Sequence, residues 1–311
     1  MPTPRETQPT GELTGREPAE VALPILIERH AEQIFALGLR FCRNPDDARD
    51  LVQETFLLAF RKWHQFQGRA RASTWLYTIA SRVCQRRHRG KQGRAARMQS
   101  LDELLPFGET GVAVQGEADP HSLEGREEQA ARLAAVERAI AELPLSSRLP
   151  LVLKDLAGLP LADISAALGL QVETVKTRLH RARLAVRKQI ESGRPRRDAP
   201  APIFSRQVCL DLLAAKQEAL DRGAQFEFPD GVVCERCATV FAGLDLAQEA
   251  CQEIGKRGEM PAALKQLVLQ HVAEETRRAA GSRRKSAAGT SGTGTRGAEQ
   301  APRRARKARR A

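Results

Sequence analysis

Apolar residues recur along most of the chain at the three-and-four spacing of helices, and the fold class expected from them is all-α. Leu23, Ile27, Ile34, Leu37 and Phe41 mark a first helix, broken by Asn44-Pro45. Asp46 and Asp47 open a second, where acids suit both cap and dipole. Its stripe for burial is Ala48, Leu51, Val52, Thr55 and Ala59, while Asp50, Gln53, Glu54 and Leu57 form a polar face with an apolar centre. After a loop at Gln67-Gly68, Ser73 stands where it caps a third helix through Trp75, Leu76, Ile79 and Val83. That helix ends in Arg86, Arg87, His88 and Arg89.

Periodicity fades from Asp102 to Glu128 and returns in Leu133, Val136, Ile140 and Leu143, stopped at Pro144. Ser146 is read as the cap of the next helix, through Leu149, Val152, Leu153 and Leu156 to Gly158. A short helix from Leu161, a glycine at 169 and a second helix through Leu179 make a helix-turn-helix pattern. Ile164, Leu168, Val175 and Leu179 supply its core, with Ala166 and Gly169 small where the helices would approach. Met260 to Glu275 is a further amphipathic helix. The expected organisation is two small helical domains, 21–97 and 129–192, joined by a linker over 98–128. A small Cys-rich helical domain over 203–276 follows, with segments too polar to pack at 1–20 and 277–311.

Charge changes this picture by its placement rather than its sum. The chain of 311 residues carries a formal +12, but the tail from Arg277 onward holds 12 bases and one acid, so the body is nearly neutral. Within the body, Thr55 to Leu101 contains no acid and eleven bases, among them Arg61, Lys62, Arg69, Arg71, Arg82, Lys91, Arg94 and Arg97. Trp63, Phe66, Trp75 and Tyr77 are interleaved with them. Cations release counterions from phosphates and flat rings stack on unpaired bases, so this stretch reads as a surface for opened nucleic acid, against the plainer alternative of a solvated basic face over core aromatics. The linker reverses the sign, with eight acids including Glu109, Glu117 and Asp119 facing Arg126. The second helix of the helix-turn-helix carries Lys176, Arg178, Arg181, Arg183, Arg187 and Lys188 with no acid between Glu173 and Glu191, as insertion into a major groove requires.

No apolar run approaches a membrane span and the polar start is unlike a signal peptide, so a cytoplasmic protein without membrane contact is expected. Its six cysteines are then thiols or metal ligands. Cys234 and Cys237 have the spacing of two thiolates on one cation, with Cys209 upstream, against the plainer alternative of a CxxC that merely sits in a small helical domain. Cys42 and Cys84 fall on apolar helix faces and are read as buried thiols. No phosphate-binding glycine loop or triad spacing appears, and no enzyme is expected.

Asp47-Ala-Arg-Asp50-Leu-Val-Gln53-Glu54-Thr-Phe56 and Ser73-Thr-Trp75-Leu76-Tyr77-Thr-Ile79-Ala80 resemble regions 2.2 and 2.4 of bacterial RNA polymerase sigma factors of the extracytoplasmic-function (ECF) group. Leu143-Pro144, Leu161-Ala-Asp-Ile164, Thr174-Val-Lys-Thr-Arg178 and His180-Arg-Ala-Arg183 resemble region 4 of the same family. The resemblance spans about residues 21 to 192 and implies a subunit that binds core RNA polymerase and promoter DNA, with an anti-sigma factor as a further partner. It assigns the polymerase contact to Asp47, Asp50, Gln53 and Glu54. It assigns the −10 element to Phe66, Arg69, Arg71, Trp75, Tyr77, Arg82, Arg86, Arg87 and Arg89, with 66–71 as a base-capturing loop. The −35 element falls to Glu173, Thr174, Lys176, Thr177 and Arg178, with Arg181 and Arg183 nearer phosphate, and the acidic linker is expected to thread polymerase channels. Arg82 and Arg49 stand where the family usually has Asn and Glu, which bears on the recognised base and on the polymerase contact. The Cys-rich segment resembles the zinc-binding fold of anti-sigma factors, with Asp230 in place of the usual His, and zinc is the cofactor it implies on Cys209, Cys234 and Cys237 with Cys251, Asp230 or His271 as the fourth ligand. The alternative reading is a metal-responsive helix-turn-helix regulator that does not join polymerase.

Overall fold

The computed structural model describes residues 13–89, 98–105, 111–114, 122–226 and 231–289. Lys91, Arg94, Arg97, Glu109, Glu117, Asp119 and Asp230 lie outside them, as do the first twelve and the last 22 residues. Three helices come first: α1 (Ala19–Cys42), α2 (Pro45–Lys62) and α3 (Ala72–Arg89). The break between α1 and α2 is built as its residues dictate. Arg43 takes a left-handed φ of 63°, the Asn44 side chain accepts from the Asp46 amide at 2.9 Å, and Pro45 occupies the first turn, where no donor is needed. The stripe Ala48, Leu51, Val52, Thr55 and Ala59 is buried, as expected.

The segment expected to be an acidic linker holds short elements among its described residues. Ser100 and Glu103 cap each other around a single turn, α4 (Leu101–Leu104). Strand β1 (Gly111–Ala113) pairs antiparallel with β2 (Arg196–Asp198), Gly111 opposite Asp198. Helix α5 (Leu123–Glu142) starts ahead of the boundary placed at 129, because Ser122 caps it through the Gly125 amide. The first expected segment, 1–20, is also shorter than drawn, since residues 13–18 pack on the loop after α2.

Region 129–192 then holds α6 (Leu145–Leu151), a π-helical turn (Val152–Leu156), α7 (Leu161–Leu168) and α8 (Val172–Glu191). Pro144, not Ser146, is the residue before α6, and Ser73 lies inside α3 rather than capping it. Pro150 brings no amide donor to α6, and the ladder beyond it re-spaces to the π pattern, with the Ala157 amide reaching the Val152 carbonyl at 3.0 Å. Between α7 and α8 the glycine has a different reason from the one expected. Ala166 is exposed, and a Cβ at Gly169 would meet nothing within 4 Å, so close approach is not the constraint. Gly169 is needed because its φ is +67°, the left-handed cap that ends α7.

Three further helices follow, α9 (Arg206–Arg222), α10 (Glu235–Lys256) and α11 (Ala262–Gly289). They were expected to form a module of their own, but the core does not divide there. Ala247, Ala250, Cys251 and Ile254 of α10 and Leu264, Val268 and Val272 of α11 belong to the same apolar cluster as the buried residues of α1–α3 and α5–α8. A second cluster holds Leu104, Leu184, Leu213, Phe241 and Leu244 with three cysteines. The chain divides into two compact units only after Val272, and the second unit is described here as helix through Gly289. Among the described residues no helix is long and apolar enough to cross a membrane.

Candidate nucleic-acid and polymerase interface

Helix α2 turns its charged face toward the end of α3. Arg87 reaches Glu54 at 3.1 Å, Asp50 at 3.2 Å and Asp47 at 3.9 Å, and Arg86 also pairs with Glu54. Those carboxylates, with the hydrogen bonds they accept, hold the Arg87 guanidinium charged against the pull of partial burial. Residues assigned to polymerase and residues assigned to phosphate are thus one ion-paired patch. Gln53 and Leu57 sit half-buried beside it. Arg49 pairs with Asp46 on the same helix, and Arg82 is exposed on α3. Arg89 is the last residue of α3.

The aromatics of the acid-free stretch gather instead of standing out. Trp63 and Phe66 stack at 4.9 Å, and Trp75 meets them at 5.7 and 5.3 Å. Phe66 is 5% exposed and Tyr77 is 7% exposed, with the Tyr77 hydroxyl donating to Gln33 at 3.3 Å. In this conformation Phe66 and Tyr77 therefore offer no face to a base, contrary to their assignment, because each completes the packing of α1–α3. Residues 13–18 lie over the same loop. Trp63 donates its indole N–H to the Glu17 carbonyl at 2.7 Å, and a Cβ at Gly15 would stand 2.2 Å from the Phe66 carbonyl oxygen. Arg69 and Arg71 remain exposed at its edge.

Helix α8 is divided along its length. Glu173, Thr177 and Arg181 are exposed and Thr174 and Arg178 half-buried, as a groove-reading face requires. Arg183 is not on that face. It is 2% exposed and forms ion pairs at 2.7 Å with Asp155 of the π turn and Asp221 of α9. Burial opposes its charge, but the two carboxylates outweigh burial and raise its pKa. The phosphate role expected of Arg183 is corrected accordingly: an arginine with two buried acids has no hand left for DNA. Its position gave a signal, since residue 183 lies four past Leu179 and three before Val186, within the buried stripe.

Acids of α9 also reach the reading half of α8. His180 Nε2 lies 2.9 Å from Asp221, and Lys176 lies 3.6 Å from Glu173 and 3.9 Å from Glu218. Burial raises the Asp221 carboxyl, but the hydrogen bond from His180 and the charge of Arg183 outweigh it and leave the pKa below the usual carboxylate range. Further along, Arg187 donates to the Leu104 carbonyl at 2.6 Å and Lys188 to that of Glu103, so α4 is fastened to α8. Sequence reasoning missed Arg148 as well. Buried and pushed down to about 10, it donates to the carbonyls of Phe41 at 2.9 Å and Leu143 at 2.8 Å, tying α6 to the ends of α1 and α5. Helix α3 packs directly on α7, where Thr74 approaches Asp163 at 3.5 Å.

Three of the four cysteines assigned to metal come together. Cys209 of α9, Cys234 before α10 and Cys237 within it place their sulfur atoms within 4.8 Å of one another, all buried. Burial, and hydrogen bonding with the other two thiols, raise the Cys237 pKa. Cys251 is elsewhere: fourteen residues past Cys237, about 21 Å along one helix, it lies in the main core near Asp155 and Arg183. His271 of α11 is likewise outside the cluster.

Models of sigma-70 region 2 and of sigma-70 region 4 match residues 26–94 and 133–186. The RNA polymerase sigma-H factor of Pseudomonas aeruginosa is 29% identical over 170 residues, 55% of this chain and 86% of that protein. The ECF RNA polymerase sigma factor SigE of Mycolicibacterium smegmatis is 31% identical over 184 residues, 58% of this chain and 67% of the relative. The ECF RNA polymerase sigma-E factor of Escherichia coli K12 is 30% identical over 171 residues, 55% and 87% of the two chains. A chain in the co-crystal structure of the sigma factor RpoE with the anti-sigma factor NepR from Bartonella quintana is 25% identical, with 56% of this chain and 98% of that chain covered and a TM-score of 0.38. Both region matches fall on the helices whose charged faces are described above, in the order the family has them, and the chain belongs to the ECF group of RNA polymerase sigma factors.

Proposed function

We propose that this protein acts in the cytoplasm as a promoter-specificity subunit, and that the arrangement described is its closed form. In this reading the α2 face with Asp47, Asp50, Gln53 and Glu54 meets core polymerase, α3 and the loop before it meet the −10 element, and α8 meets the −35 element. An anti-sigma protein, where present, competes for the same faces. The observation that carries the closed reading is the direct packing of α3 on α7. Elements named −10 and −35 stand about 25 base pairs apart, which is about 85 Å of duplex. Two helices in contact do not span that distance, so α3 and α7 separate before both elements are read. Glu218 and Asp221 of α9, set against Lys176 and His180, hold the reading helix from the other side.

The three-cysteine cluster fits a zinc-like cation. Its donors are all sulfur, its mutual distances suit a tetrahedral ion, and three thiols in an apolar pocket gain a partner by giving up their protons. A fourth ligand is not supplied by the described residues. Bound there, the ion would fasten α9 to α10, and α9 carries Gln217, which links to α8 through Arg183 at 3.3 Å and the His180 carbonyl at 3.2 Å. The metal thereby reports to the reading helix.

The test is transcription from a promoter library by purified core polymerase, given the full chain or the chain ended after Ser192, with metal content measured on the full chain. Expected are the same promoters from both, more transcript from the shorter chain, and bound zinc that Cys234→Ser abolishes. No promoter-specific transcript from either chain would overturn the sigma reading. A shorter chain that keeps its helical circular dichroism yet gives no greater output would overturn the hold of α9 on α8, and a metal-free full chain the zinc reading.

A further inference from the structure

A second set of soft ligands lies far from the C-terminal cysteines, where the ends of two helices meet. Cys42 is the last residue of α1. Cys84 and His88 are four residues apart on α3 and therefore share one face of it. Their ligand atoms and the Cys42 sulfur all lie within 4.8 Å of one another, with both cysteines buried and His88 half-buried at the rim. The Cys84 thiol donates to the Phe41 carbonyl at 4.0 Å, one residue before Cys42. A tetrahedral zinc with bonds of about 2.3 Å to sulfur and 2.0–2.1 Å to nitrogen keeps its ligand atoms about 3.5–3.8 Å apart. The three atoms, within 4.8 Å of one another, stand about 1 Å or less from that spacing.

We propose that Cys42, Cys84 and His88 form a metal site of their own, for a divalent cation of the zinc class with water in the fourth position. Two sulfurs and an imidazole are a donor set that such a cation prefers over calcium or magnesium, which seek oxygen. Charge is conserved within the site: the cation enters as two thiol protons leave to solvent, and the imidazole binds neutral through a ring nitrogen. That balance matters because Arg87 and Arg148 both act on these sulfurs, and a net positive charge would be repelled. Asp47, at the start of α2, acts on Cys42 from the other side.

The site's place gives it a consequence. It joins the end of α1 to the end of α3, one residue from the Arg87 that crosses to Asp47, Asp50 and Glu54. It also adjoins Phe41, whose carbonyl accepts the hydrogen bond from Arg148 of α6. Occupancy therefore fixes the patch assigned to polymerase and its link to the helix-turn-helix domain.

The experiment uses the full chain carrying Cys209→Ser, Cys234→Ser and Cys237→Ser, titrated with Co2+ in competition with a chelator. Expected is one equivalent of cobalt with thiolate-to-metal charge-transfer absorption, displaced by zinc and lost on adding Cys42→Ser. Absence of that absorption in a natively folded protein overturns the site, as does absorption that survives Cys42→Ser. Should the triple substitution unfold the chain, His88→Gln alone decides the matter, because His88 lies at the rim. Bound cobalt then falls by one equivalent relative to the natural chain, and no fall overturns the proposal whether or not the C-terminal cluster binds metal.

Discussion

Arg183 shows how a single charge changes meaning once its neighbours are known. Removing it leaves Asp155 and Asp221 facing each other without a cation in a nearly dry space. Breaking a buried pair by deleting one partner costs about 3–5 kcal/mol. Arg183→Ala is therefore expected to destabilise the chain by that amount in denaturant unfolding. Arg178→Ala, on the half-exposed face, is expected to stay within about 0.5 kcal/mol while altering −35 preference. Equal stability of the two variants would return Arg183 to the DNA-facing side. The sequence presented both as bases on a basic helix. Apolar spacing places Arg183 in the buried stripe, but its partners Asp155 and Asp221 lie 28 and 38 residues away, and no local pattern announces them. Phe66 and Tyr77 misled in the same direction. Rings interleaved with arginines are compatible with stacking on bases or on one another, and here they pack inside the three-helix unit.

For the elements, helix positions followed from apolar spacing because every stripe named from the sequence in α1, α2 and α3 is predominantly buried. The start of α2 is legible in Asp46 and Asp47, although the cap is Asn44; the starts at Ser122, which caps α5, and at Pro144, which caps nothing with a side chain, are not read from the sequence. The turn and strand of the linker escaped notice for a simpler reason. Four residues of helix and three of strand are too short to show a period. The α2–α3 patch supports a prediction of its own. Glu54 and its partners Arg86 and Arg87 are partly exposed, and such pairs contribute about 1 kcal/mol or less to folding. Gln53→Ala with Glu54→Ala is thus expected to keep the thermal unfolding curve nearly unchanged while weakening core polymerase binding about tenfold or more, a loss of about 1.4 kcal/mol. Unchanged affinity in a fluorescence titration against core enzyme would remove this face from the polymerase contact.

At the scale of the whole molecule, the core rather than the linkers sets the boundaries. Composition separates 203–276 from what precedes it, but α10 contributes to the same apolar cluster as α1 and α8. The fastening of α4 to α8 then takes on a quantitative sense. The carbonyls of Glu103 and Leu104 hold Lys188 and Arg187, so the 11 residues numbered 90–100 separate the end of α3 from a point fastened to α8. Eleven residues reach at most about 40 Å. The separation of promoter elements is about 85 Å. With α4 and the β1–β2 pairing both released, the 33 residues from 90 to 122 reach at most about 110 Å. Dyes at the exposed positions Lys62 and Ala166 should therefore move apart on average in Arg187→Ala with Lys188→Ala, and an unchanged transfer efficiency would count against it. Two backbone carbonyls and one short strand pair thus set the length of a leash. In the closed form proposed above, both promoter elements come within reach only once that leash, and not merely a domain contact, is let out.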